Sequence, residues 1–343
     1  MEGVRFCAER AGRRRGKGET GMKWRGRRSS RNISDRRSGS GSGGGRGGGL
    51  GGLGSILRGG RAAPQGRSRG RVTRRRGGIG LIGIVVLLVG MYFGLDLAPF
   101  LTAMQGGDGG GMVPAPREAG QSPAGPNTID DETEEFVAVV LADTEEVWTA
   151  EFARHDAAYA EPTLVLFAGQ VRSACGFASA ASGPFYCPAD RQIYLDTDFF
   201  RTLERQLGAR GDFARAYVIA HEVAHHVQNL MGVMAETARA RRGASAAEAN
   251  AISVMVELQA DCLAGLWAQR AERRFGSLEP GDIEEAMNAA AQIGDDALQR
   301  RSQGHVVPDS FTHGSSAQRQ RWFAAGYRGA GIGACDTFSA ERL

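Results

Sequence analysis

The 343-residue chain carries His221-Glu222-Val223-Ala224-His225. Side chains four apart on a helix lie about 40° apart around its axis, so both imidazoles can reach one metal ion. Glu222, about 100° from His221, stands at the edge of that face, where it can reach a water beside the ion and act as general base. Zinc prefers a tetrahedral set of nitrogen and carboxylate donors, and a hydrolytic site leaves one of the four positions to water. A third protein ligand is therefore expected. The motif is embedded among Val218, Ile219, Val223 and Val227, where two buried histidines and a glutamate would be costly without a metal partner.

Downstream, the segment VMVELQADCLAGLWA holds Glu257 and Asp261 at i and i+4 among apolar residues. One carboxylate can ligate while the other orients a ligand histidine. Glu257 is the expected third ligand and Asp261 the orienting group. His305 and His313 lie in GHVVPDSFTHGSSAQRQRWF. Either could donate to the developing oxyanion or be the third ligand instead, with His313 the better candidate. His226 points about 100° away from His225, and Cys262 about 140° from Glu257, so neither is aimed at the ion.

These residues need helices to hold them. Beyond Asp212 the apolar pattern is helical through His221 to Leu230, through Val254 to Arg270, and again from Pro280 to near Arg300. Asp130 to His155 repeats Phe136, Val139, Val140, Val147, Trp148 and Phe152 at helical spacing, with acidic residues in the early turns, which predicts one or two helices. Thr163 to Phe167 and Gln192 to Leu195 read as short strands around a looped insertion. The expectation is an α+β domain over 128–343, mainly helical with a small sheet.

The rest of the chain has a different composition. Residues 1–76 carry 22 Lys+Arg against 4 Asp+Glu, and their Gly/Arg-rich make-up predicts a disordered basic head facing the cytoplasm. Such a head could touch anionic lipid, and no specific nucleic acid is expected for it. Residues 77–95 are uncharged, and 19 residues at about 1.5 Å rise give roughly 28 Å, close to a bilayer core. One transmembrane helix is expected there, followed by a Gly/Pro-rich linker over 96–127. Arg61, Arg67, Arg69, Arg71, Arg74, Arg75 and Arg76 precede the run and Asp96 and Asp108 follow it. Positive-inside bias then places the N-terminus in the cytoplasm and the catalytic domain on the periplasmic or extracytoplasmic side. Cys175, Cys187, Cys262 and Cys335 fall on the outer side, where disulfides persist. Proximity favours Cys175 with Cys187, leaving Cys262 with Cys335, among three possible pairings.

HEVAHHVQN, ELQADC, RSACGFASAASGPFYCP and FTHGSSAQRQRWF resemble the bacterial predicted neutral zinc metallopeptidase family, the YpfJ-like membrane proteins. The resemblance runs from Met22 to Phe338, and MKWRGRRSSRNISDRR is similar to the start of that family, so translation is expected to begin at Met22. The resemblance implies a zincin-like domain behind one membrane span. It puts the metal motif on His221, Glu222 and His225 and the downstream carboxylates on Glu257 and Asp261. The expected function is membrane-anchored, zinc-dependent hydrolysis of peptide bonds in a peptide or protein substrate, with Glu222 as base. The alternative is a non-catalytic, zinc-stabilised envelope domain that binds a partner protein.

Overall fold

A computed structural model describes residues 21–37, 129, 131–179 and 182–343. The expected span at 77–95 and linker at 96–127, with most of the head, lie outside the described residues. Helix α1 (Glu132–Ala153) starts where Asp131 accepts a hydrogen bond from the Glu134 main-chain N–H at 2.9 Å, with three glutamates near the positive end of its dipole. Its apolar residues are buried on every side, Val137, Val140 and Leu141 fully so. A helix apolar all round belongs in the middle of a core.

The sheet stands beside it. Its strands are β1 (Ile33–Asp35), β2 (Thr163–Phe167), β5 (Phe185–Cys187) and β6 (Gln192–Asp196), ordered β1-β2-β6-β5. β1, β2 and β6 run parallel, and β5 runs antiparallel at the edge. A separate hairpin, β3 (Gln170–Ser173) and β4 (Gly176–Ser179), is tied to β5 by the Cys175–Cys187 disulfide. The two strands read from sequence form where expected, in β2 and β6.

After α2 (Thr197–Arg205) come α3 (Asp212–Leu230), α4 (Val233–Arg242) and α5 (Ala246–Phe275). α5 opens on a capping box between Ser245 and Glu248 and ends at Gly276, whose φ of +58° is left-handed. It is long and apolar enough to cross a membrane, but it is mostly buried and packs against α3 as a core helix. The helix expected from Pro280 to Arg300 is two helices, α6 (Asp282–Gln292) and α7 (Asp295–Gln303). The break falls where Gly294 presses on the next helix, α8 (Ser316–Arg328). A Cβ there would come within 2.4 Å of the Ser316 nitrogen. α8 lies close along α5, with Gly265 and Gly326 at the contact: a Cβ on either would meet backbone carbonyl oxygen at 2.0 or 1.8 Å.

The fold corrects the reading of residues 1–76 as wholly disordered and of 128 as the start of the domain. Residues 22–37 belong to the same compact unit as 131–343. Met22, Trp24 and Ile33 are buried, and β1 hydrogen-bonds along β2. Arg27, Arg28 and Arg37 reach the buried carboxylates Asp143 (2.6 Å), Glu145 (2.8 Å) and Glu134 (3.2 Å) of α1. A strand cannot lie across a bilayer from the strand it pairs with. The expected topology, head inside and catalytic domain outside, therefore fails for this part of the head.

Candidate metal centre

α3 and α5 face each other and carry the donors. His221 Nδ1 donates to Asp261 Oδ1 at 2.9 Å, and His225 Nδ1 donates to Gln228 Oε1 at 2.8 Å. With both Nδ1 atoms engaged, the Nε2 atoms are left to turn inward, where they stand 3.1 and 3.5 Å from the two oxygens of Glu257. One ligand atom from each of His221, His225 and Glu257 fits within a 4.8 Å span. Two imidazole nitrogens and a carboxylate, each orientable around one point, make a donor set that fits zinc.

Asp261 is fully buried and receives four donors. Besides His221 these are Tyr217 Oη at 2.5 Å and the Arg319 guanidinium through Nε at 2.8 Å and Nη2 at 3.0 Å. Burial pushes the Asp261 carboxyl up, but Arg319 and His221 outweigh it and hold it below the usual range. Burial likewise works against charge on His221, yet Asp261 and Glu257 raise it to about 9. The proton this favours is the one a metal ion must displace. Glu257 is raised by burial and lowered more by His225 and His221, ending well below the ordinary carboxylate range. Glu222 lines the same cleft with its affinity for protons raised by burial, an effect only partly offset by His225 and His221.

His313 is apart from the three converging groups, on the wall of the cleft. Asp295 holds it there, accepting from the main-chain N–H of Thr312, His313 and Gly314 at 2.7, 2.7 and 3.1 Å and from His313 Nδ1 at 3.2 Å. His305 is exposed and exchanges hydrogen bonds with Gln303, two residues earlier. His226 donates from Nε2 to the Ala160 carbonyl at 2.6 Å and accepts from Tyr186 Oη at 3.0 Å, tying α3 to the edge strand. Cys262 is bonded to Cys335, which staples the C-terminal segment to α5 one residue beyond Asp261.

Sequence reasoning passed over Tyr217, Gln228, Asp295 and Arg319. The first two had a signal, since Tyr217 is four residues before His221 and Gln228 three after His225, each on the face of the histidine it serves. Arg319 lies 58 residues from Asp261 and had none in spacing. A second acidic group, Asp212, Asp282 and Glu285, also converges. It offers no nitrogen donor, and its oxygens accept main-chain N–H groups of Met22, Phe213 and Glu279.

The cleft has a volume of about 1190 Å³, with Phe185, Phe199, Leu207, Met234 and Ile293 among its apolar walls. The chain is 42% identical over 317 residues to protein YpfJ of Escherichia coli (strain K12), covering 92% of this chain and 99% of that one. It is 49% identical over 195 residues to Mb2605 of Mycobacterium bovis and to Rv2575 of Mycobacterium tuberculosis, covering 54% of this chain and 65% of each of those. No solved structure matches it. A family model described as "putative neutral zinc metallopeptidase" matches residues 22–338, and the chain belongs to that family.

Proposed function

We propose that the protein is a zinc-dependent peptidase of zincin-like fold in which His221, His225 and Glu257 hold the metal and Glu222 is the general base. The observation that carries this reading is the pairing of restraints on the two histidines. Each Nδ1 is tied by its own partner, so that both Nε2 atoms face Glu257. Zinc held there supplies Lewis-acid activation of water and of the scissile carbonyl.

The chain's own residues do the rest. Glu222, whose raised proton affinity suits it to accept and release a proton, takes one from the attacking water and delivers it to the leaving amine. Asp261, buttressed by Tyr217 and Arg319, keeps the His221 ring in place through the reaction. His313, raised by its hydrogen bond to Asp295, donates to the oxygen that gains charge.

An extended substrate needs a free strand edge. β6 is paired on both sides, by β2 and β5. The edge available to substrate is β5, and Ser182 to Tyr186 line the cleft along it. Main-chain pairing there selects for extended peptide rather than for a sequence. The apolar run at 77–95 supplies membrane association in this reading.

The test uses the purified full-length chain, with zinc measured by mass spectrometry and hydrolysis of a mixed peptide library followed by product analysis. The wild type should bind about one zinc and cleave. Glu222→Gln should keep the zinc and lose about 10²-fold or more in rate, the range for removing a general base. Hydrolysis that survives Glu222→Gln, or a wild type that binds no zinc, overturns the assignment.

A further inference from the structure

The N-terminal segment is built into the domain that carries the metal ligands, and this constrains how the chain meets a membrane. β1 sits beside β2 with Ile33, Ser34 and Asp35 opposite Leu164, Val165 and Leu166. The ladder is extended at both ends, by the Leu164 N–H to the Asn32 carbonyl and the Arg36 N–H to the Leu166 carbonyl, each at 2.8 Å. Trp24 packs edge-on against Phe136 of α1, ring centres 5.4 Å apart. Glu145, buried in α1, takes hydrogen bonds from Arg28, Ser30 and Asn32. These are core contacts, and a tail that merely brushed the surface would not bury Trp24 or neutralise Asp143 and Glu145.

The path of the chain adds a second observation. Arg37, just past the end of β1, is ion-paired with Asp131, the residue that caps the start of α1. The chain leaves the domain and comes back to it at one spot. The described residues on either side of 38–128, the stretch that includes the apolar run at 77–95, are thus held beside each other.

A hydrogen-bonded strand pair leaves about 4.8 Å between chains, whereas the hydrocarbon of a bilayer is about 30 Å thick. No membrane can separate residues 22–37 from residues 131–343. Going across and back would take two spans of about 20 apolar residues each, and the uncharged run offers 19. We propose that residues 22–37 and 131–343 occupy the same face of the membrane, and that the apolar run engages the bilayer from that face without carrying the chain to the other. The Cys175–Cys187 and Cys262–Cys335 bonds make that shared face the oxidising one. Positive-inside bias orients segments that cross, so the arginines before the run give no orientation to one that does not.

The test is cysteine accessibility in the full-length protein expressed in bacterial cells. Arg31 and Arg273 are exposed, one on each piece of the domain, so Arg31→Cys and Arg273→Cys can each be made in a Cys7→Ser background without disturbing the core. A membrane-impermeant maleimide is applied to spheroplasts and, separately, after lysis. Both positions should label in the intact spheroplast. Labelling of both only after lysis would keep the same-face topology and overturn the oxidising face. Labelling of one position in intact spheroplasts and of the other only after lysis would overturn the proposal itself, because β1 could not then be in the sheet.

Discussion

Two buried sets of charges hold this molecule together, and they differ in what faces each carboxylate. In the N-terminal clamp, Arg27 and Arg28 meet Asp143 and Glu145 of α1, so that an acid on a core helix is matched by a cation from a distant segment. In the candidate metal centre, Asp261 is matched the same way by Arg319, whereas Glu257 one turn earlier is paired, among the described residues, with two imidazoles. Charges buried for assembly are closed off by a cation. The site keeps one carboxylate and two ring nitrogens turned toward each other, an arrangement that suits a metal ion in place of the proton His221 otherwise holds.

The contrast is broken most severely by deleting residues 22–37. The deletion strips a strand from the sheet and takes the arginines from Asp143 and Glu145, each such loss costing about 1–3 kcal/mol. Together with the lost strand that approaches the stability of an ordinary domain, about 5–15 kcal/mol. The deleted chain should show no cooperative melt by circular dichroism. A melt within a few degrees of the full chain would mean that the clamp is not part of the folded unit.

How much of this could be read from sequence differs between the two regions for a physical reason. His221, Glu222, His225, Glu257 and Asp261 follow from helical spacing because each pair of partners is local to one helix, and only the meeting of α3 with α5 had to be supplied by the fold. β2 and β6 were legible as runs of Leu, Val, Ile and Tyr. The clamp was not. Its segment has few apolar anchors, and its arginines look like a solvated tail because their acids lie more than 110 residues away. The split between α6 and α7 was hidden for a similar reason, since Gly294 yields to a neighbour, Ser316, that no local window contains.

Asp261→Asn sharpens the comparison from the site's side. The amide keeps the shape but not the charge that orients His221 and answers Arg319, and loss of such a supporting group lowers metal affinity by about 10–100-fold. Competition with a zinc chelator measures it. Unchanged affinity would show that His221 needs no support from Asp261.

Arg27→Ala is the matching change in the clamp and should leave zinc affinity alone while lowering stability by about 1–3 kcal/mol. Burial raises Asp143 to about 7 even with Arg27 beside it. A carboxyl raised above its unfolded value of about 3.9 binds more protons folded than unfolded. Its contribution is therefore most favourable at low pH and is lost as pH rises through about 7. The cost of Arg27→Ala should accordingly be smaller in denaturant melts at pH 5, where Asp143 is neutral, than at pH 8. An equal cost at both would indicate that Arg27 acts through its stacking on Phe275, 4.2 Å from the ring centre, rather than through charge.

His313→Ala should have the smallest effect, and it separates two roles that sequence left open. As a ligand, His313 would take the zinc with it when removed. As a donor to the oxyanion from the cleft wall, it would leave zinc content unchanged and cost about tenfold in kcat with little change in KM, because the interaction strengthens only as charge develops. Asp295 gives an internal control, since it positions His313 through three main-chain contacts and the ring. Asp295→Asn should lower kcat in the same direction by weakening the hold on the imidazole, and combining it with His313→Ala should add little. Full additivity of the two would mean that Asp295 shapes the loop for another purpose and that the His313 ring reaches the substrate without its help.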